Sequence, residues 1–166
     1  MQPCLSHCYC DNVSFKSILS FMKANTKLLN LFERTIKKLE DENDRFNWGH
    51  FGRCNCGFLA REATNKTPLE IHRAALEKKG EDWGVRVENY CDLTGFEIDD
   101  IIRDLMSFGL SQKDLVSIEK LNDPKVLKYL DSNEPLLKGS RESSIRYFKA
   151  FKKYIESELK QEKVFA

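Results

Sequence analysis

Apolar residues recur at three- and four-residue spacing along almost the whole chain, the period of an amphipathic α-helix. From Thr26 to about Glu42, Leu28, Leu29, Phe32, Ile36 and Leu39 form one stripe, with Glu33, Arg34, Lys37, Lys38 and Glu40 opposite. Asn43-Asp44 ends that pattern. Residues 45 to 57, RFNWGHFGRCNCG, hold three glycines and three aromatics without a period, and predict a folded loop running into a short helix from Cys56 to Ala63. Thr67-Pro68-Leu69-Glu70 is a helix start with cap, first-turn proline and capping-box glutamate in place. That helix is predicted to reach Lys79 and stop at Gly80, with a weaker one from Asp82 to Cys91 and a break at Thr94-Gly95.

Ile98, Ile101, Ile102, Leu105 and Met106 give the next stripe, ending at Gly109. Ser111 with Asp114 opens a helix carrying Leu115, Ile118 and Leu121, and Asp123-Pro124 opens another carrying Val126, Leu127 and Leu130. Pro135 and Gly139 mark the segment from Asp131 to Ser140 as a linker. A long terminal helix, Arg141 to about Gln161, presents Ile145, Phe148, Phe151, Tyr154, Ile155 and Leu159. Only six valines stand against nineteen leucines, and hairpin signals and long repeats are absent from the sequence. The prediction is an all-α fold, an irregular bundle of six to eight helices ending in a long C-terminal helix. Residues 22–134 form the expected core domain. Residues 135–166 supply a linker and a basic helix that packs on the core or on a partner.

Charge and cysteine usage narrow the setting. Lys and Arg number 27 and Asp and Glu 26, so a formal charge of +1 sets up no global field for DNA, RNA or an anionic membrane. The chain contains no run of about 18 apolar residues of the kind that crosses a bilayer. Met1 to Phe21 lacks the basic and apolar regions of a secretory signal. The expectation is a cytoplasmic protein whose six cysteines are thiols or metal ligands. Met22 stands just before the first strong helical pattern, which makes residues 1–21 an N-terminal extension and Met22 an alternative start. The competing view of that extension is a metal-binding arm of Cys4, His7, Cys8 and Cys10, although the spacing fits no standard zinc pattern.

Candidate chemistry concentrates in the aromatic loop. His50, Cys54 and Cys56, with Cys91 and His72 from elsewhere, are the side chains that zinc or iron prefers, and four of them close a structural site. Within one helix, Cys54 and Cys56 would point to nearly opposite faces, since each residue turns the helix by about 100°. Sharing a metal therefore requires a turn or helix start at Asn55. The plainer reading makes both thiols small apolar groups where helices approach closely. A Cys54 nucleophile with His50 as base and Arg53 favouring the thiolate lacks an acid to orient the imidazole. Cys54-Asn55-Cys56 is also not a Cys-x-x-Cys redox motif. The same loop can cradle a phosphate on backbone N–H groups near Cys56, with Arg53 adding charge, but neither nucleotide-binding fingerprint is present. An irregular loop pinned in the core by Phe46, Trp48 and Phe51 is the expected state.

His72, in line with Leu69 and Leu76, reads as a hydrogen-bonded core histidine, and Glu97, Asp100 and Asp104 read as a solvated helix face. The terminal helix is the one lopsided segment: Lys138 to Lys163 holds eight basic residues against four acidic ones. Arg146, Lys149, Lys153 and Lys160 flank its aromatic stripe and can meet a phosphate backbone, an anionic membrane or an acidic groove. Glu142, Glu156 and Glu158 dilute that field, so a solvated face is expected and nucleic acid is the least favoured partner.

Gly52-Arg53-Cys54-Asn55-Cys56-Gly57-Phe58-Leu59 and Thr67-Pro68-Leu69-Glu70-Ile71-His72 resemble a bacterial family of conserved hypothetical proteins of unknown function. The likeness continues through Tyr90-Cys91-x-x-Thr94-Gly95 and Leu121-Asn122-Asp123-Pro124-Lys125-Val126-Leu127, covering about residues 45 to 130. It implies a bacterial cytosolic protein and carries over no activity or catalytic residue. The leading functional expectation is a non-enzymatic binding protein, with a protein partner or a second copy of itself. It would act through Trp48, Phe51 and Arg53 of the loop or Arg146, Lys149 and Lys153 of the terminal helix. The alternatives are a zinc or iron protein using His50, Cys54, Cys56 and Cys91, and a weak nucleic-acid binder.

Overall fold

A computed structural model describes residues 22–77 and 100–165, and among these there are seven helices and no strand. The all-α prediction holds. The helices are α1 (Thr26–Glu40), α2 (Asn55–Thr64), α3 (Pro68–Glu77), α4 (Asp100–Ser107), α5 (Gln112–Lys120), α6 (Pro124–Leu127) and α7 (Arg141–Phe165). Local chemistry sets several of their starts. Asn25 Oδ1 accepts the Leu28 N–H at 2.9 Å at the head of α1. Thr67 and Glu70 form the expected reciprocal cap of α3, at 2.7 and 3.3 Å. Ser111 and Asp114 do the same for α5, and Asp123 caps α6 beside its first-turn proline. The weak helix predicted from Asp82 to Cys91 lies outside the described residues.

Some boundaries differ from the sequence pattern. The first helix ends at Glu40 instead of Glu42, where Asp41 turns extended and its N–H bonds back to Lys38 O. The helix opened by Pro124 is a single turn, and Leu130 lies beyond it in three-residue turns. The terminal helix runs on to Phe165. In α3 the stripe of Leu69, His72 and Leu76 is not the packed face. Leu69 and Leu76 are 52% and 55% exposed, while Ile71 and Ala75 are buried. The helix leans on α2 through a narrow side where β-branched and small residues fit.

The core has two halves that meet at α1. On one side α7 lies along α1, with Phe32 stacked on Phe151 at 4.6 Å and tilted against Phe148 at 5.4 Å. The terminal helix is thus packed on the core, not held out from it. Tyr147 ties it to the start of α6, its hydroxyl accepting the Asp123 N–H at 3.2 Å. Burial pushes that phenol well above its ordinary range. On the other side α2 is the central element, in contact with α1, α3, α4 and α5. Residues Asn55 to Ala60 are all buried, as a helix enclosed on every side requires. Enclosure leaves two polar side chains inside. Asn55 Nδ2 donates to the Ile118 and Glu119 carbonyls, and buried Glu119 accepts the Cys56 N–H on Oε2 at 3.1 Å.

Candidate functional site

The loop between α1 and α2 is closely folded and anchored from below. Asn47 N–H bonds to Arg53 O, His50 N–H to Asn47 O, and both Arg53 and Cys54 N–H to His50 O. Asn47 Oδ1 accepts the Gly49 N–H at 3.0 Å, an Asx turn that tightens the tip. Phe51 is buried in the core, and Gly52 sits so close to α3 that an added Cβ would lie 2.0 Å from Pro68 O. Only glycine permits that approach.

Above this anchor the loop opens a cleft of about 640 Å³ lined by Arg45, Phe46, Asn47, Trp48, Gly49, His50 and Arg53, and closed by Gly139 of the linker. Its charge is one-sided. No carboxylate lines it, and neither the Arg45 nor the Arg53 guanidinium has a hydrogen-bond or ion-pair partner among the described residues. Asp44, the acid next to Arg45 in sequence, is held elsewhere by a two-pronged pair with Arg61 at 3.0 and 2.5 Å. The Lys138 ammonium stands 4.3 Å from the centre of the Trp48 ring, a cation–π contact that adds a third positive charge beside the cleft. The Trp48 indole N–H is buried without an acceptor among the described residues.

His50 lines the cleft, and His72 stacks on it from α3. The His50 and His72 rings stack at 3.9 Å and 18°. Gly52 N–H donates to His50 Nδ1 at 3.1 Å, and Phe51 N–H donates to His72 Nδ1 at 3.2 Å. Consecutive backbone amides therefore occupy both Nδ1 atoms, which leaves Nε2 as the donor nitrogen of each neutral ring. Burial, the His72 ring and the Arg53 guanidinium together hold the His50 pKa below its ordinary value. Such a cleft offers guanidinium and imidazole donors to an anion and no competing acceptor of like charge.

Of the residues expected to matter, Trp48, His50 and Arg53 come together here, while Phe51 lies beneath as an anchor. Cys54 and Cys56 are buried behind the loop and hydrogen-bond in different directions, Cys54 Sγ to Phe51 O at 3.5 Å and Cys56 Sγ to Leu115 O at 3.3 Å. Among the described residues no group of three or more His, Cys, Asp or Glu side chains converges as metal ligands. Cys91 lies outside them. The start of α2, which the sequence offered as a place to cradle a phosphate, is already filled, because Glu119 of α5 places its own carboxylate on the Cys56 N–H. The two arginines of the loop line the cleft on its other side.

The basic stripe of α7 is not a bare field. Arg146 pairs with Glu134, Lys149 with Glu40 at 2.6 Å, Lys152 with Glu33 at 2.9 Å and Lys153 with Asp131. Arg141 is spent on carbonyls, donating to Leu39, Asp44 and Asp41. Sequence reasoning missed Arg45, although the signal was present: the stretch from Arg45 to Gly57 holds two arginines and a histidine and not one acid. Lys138 was missed because its meeting with Trp48 spans ninety residues of chain.

Neither protein-family models, nor curated proteins, nor solved structures contain a match to this chain. No helix among the described residues is long and apolar enough to cross a membrane.

Proposed function

We propose that this chain is a non-enzymatic binding protein whose recognition site is the loop cleft, and that the cleft takes an anionic group. The observation that carries the reading is the pair of guanidiniums, Arg45 and Arg53, lining one cleft without a carboxylate and without partners among the described residues. Unpaired arginines held on an ordered loop suit carboxylate or phosphate geometry, which the planar fork engages through two parallel bonds. His50 adds an Nε2–H donor and the aromatic rings of Phe46 and Trp48 add apolar wall. The cysteines, buried and hydrogen-bonded as thiols, suit a reducing compartment, and the proposal places the protein in the cytoplasm.

Calorimetric titration of the intact chain with inorganic phosphate tests this. A saturable heat is expected, and it should vanish in the Arg45→Ala/Arg53→Ala variant. A flat titration of the unaltered chain would overturn the reading.

A further inference from the structure

The cleft has more room and more charge than a simple monovalent anion uses. Small-molecule sites commonly enclose roughly 300–1,000 Å³. The present volume of about 640 Å³ lies in that range and is several times what a bare phosphate or acetate occupies. Three cations adjoin it, Arg45 and Arg53 in the wall and Lys138 on the Trp48 ring, and none is paired with a carboxylate among the described residues. A carboxylate would answer one of these charges, whereas a phosphate monoester carries nearly two at neutral pH and three acceptor oxygens. The aromatic rings of Phe46 and Trp48 line it as well, beside Asn47, Gly49, His50 and Gly139.

We infer that the ligand is a small phosphate monoester with a flat organic body: Arg45 and Arg53 hold the phosphoryl head, Lys138 supplies the third charge, and Phe46 and Trp48 cover the body. The inference rests on the cleft being the anion site. It differs from a simple ion-binding role in demanding both parts of the ligand together. A guanidinium fork on two phosphoryl oxygens gives orientation as well as charge, so lysine in place of arginine keeps the charge and loses the fit. Lys138, held among the described residues by the face of the Trp48 ring alone, can leave that contact at small cost when a dianion enters, since an exposed cation–π contact is weak.

The test compares phenyl phosphate, inorganic phosphate and benzoate as probes of the full chain by calorimetry at about pH 8, where the monoester is fully dianionic. Phenyl phosphate should bind about tenfold or more tightly than either fragment. Arg53→Lys and the exposed-site Arg45→Lys should each weaken it by about tenfold, with circular dichroism confirming the fold. Lys138→Met should weaken phenyl phosphate more than benzoate. Benzoate binding as tightly as phenyl phosphate would overturn the phosphoryl head and leave the anion cleft standing. Inorganic phosphate binding as tightly would overturn the organic body. A phosphoserine peptide binding more tightly than phenyl phosphate would overturn the small-molecule assignment in favour of a protein partner. If none of the probes binds, the cleft reading itself fails.

Discussion

His50 and His72 stack ring on ring at 3.9 Å, each with a backbone N–H on its Nδ1. A proton added to His50 Nδ1 must displace the Gly52 amide and face both Arg53 and the neighbouring ring. The His50 pKa is accordingly lowered from 6.5 by burial first and by these neighbours next. A base held below its unfolded pKa binds fewer protons folded than unfolded in the interval between the two values. Stability is therefore complete above pH 6.5 and is lost as the pH falls below it. Urea midpoints measured across that interval should drop for the native chain and drop less for His50→Asn, whose amide oxygen can still accept the Gly52 N–H. Parallel profiles for the two proteins would contradict this account.

The buried carboxylate of Glu119 completes the start of α2, where unsatisfied N–H groups and the positive end of the helix dipole meet. Removing it with Glu119→Ala leaves the Cys56 N–H without its acceptor, at a cost of about 3 kcal/mol. Glu119→Gln keeps an acceptor oxygen and should cost about 1 kcal/mol. Chemical denaturation of the three proteins should rank them in that order.

Gly52 packs against the backbone of Pro68, and its replacement by alanine would place a Cβ 2.0 Å from Pro68 O. Either the loop or α3 must move, so Gly52→Ala should destabilise by about 3 kcal/mol and disturb the cleft above it. Gly49→Ala is the control on the same loop, since an added Cβ there meets only Asn47 Oδ1 at 3.5 Å. Its effect should stay within about 0.5 kcal/mol. Equal losses for the two substitutions would mean that the close approach is not what constrains the loop.

Arg141 joins the start of α7 to the end of α1, with Nε on Leu39 O at 2.6 Å, Nη1 on Asp44 O at 2.9 Å and Nη2 on Asp41 O. The rigid fork serves three carbonyls at once, a pattern an ammonium cannot copy. Arg141→Lys should cost about 2 kcal/mol and Arg141→Ala somewhat more, read from thermal or urea unfolding.

Features whose cause is local were legible in the sequence. The caps at Thr67–Glu70, Ser111–Asp114 and Asp123-Pro124 each involve residues within one turn, and each forms where the spacing placed it. The stripe of Phe148, Phe151 and Ile155 also faces the core as its period implied. Features that depend on distant chain segments were not. The lysines of α7 counted as a basic face until Glu33, Glu40 and Asp131 met them from α1 and the linker. The start of α2 read as open to a phosphate because Glu119, sixty-three residues from Cys56, gives no sign in sequence of lying there. Phe46, Trp48 and Phe51 were read together as pins of the loop in the core; Phe51 is buried there, whereas Phe46 and Trp48 are half-buried and line the cleft, since an irregular loop has no period from which to read direction.

The most direct test of the anion cleft is to find where an anion lands. Nuclear magnetic resonance of the arginine Nε–H and histidine ring signals, followed during a titration with inorganic phosphate, reports each group separately. The account predicts saturable shifts confined to Arg45, Arg53 and His50, with Arg141, already bound to three carbonyls, unmoved. Shifts centred instead on the arginines outside the cleft, Arg146 among them, or no saturable shift at Arg45 and Arg53, would contradict it.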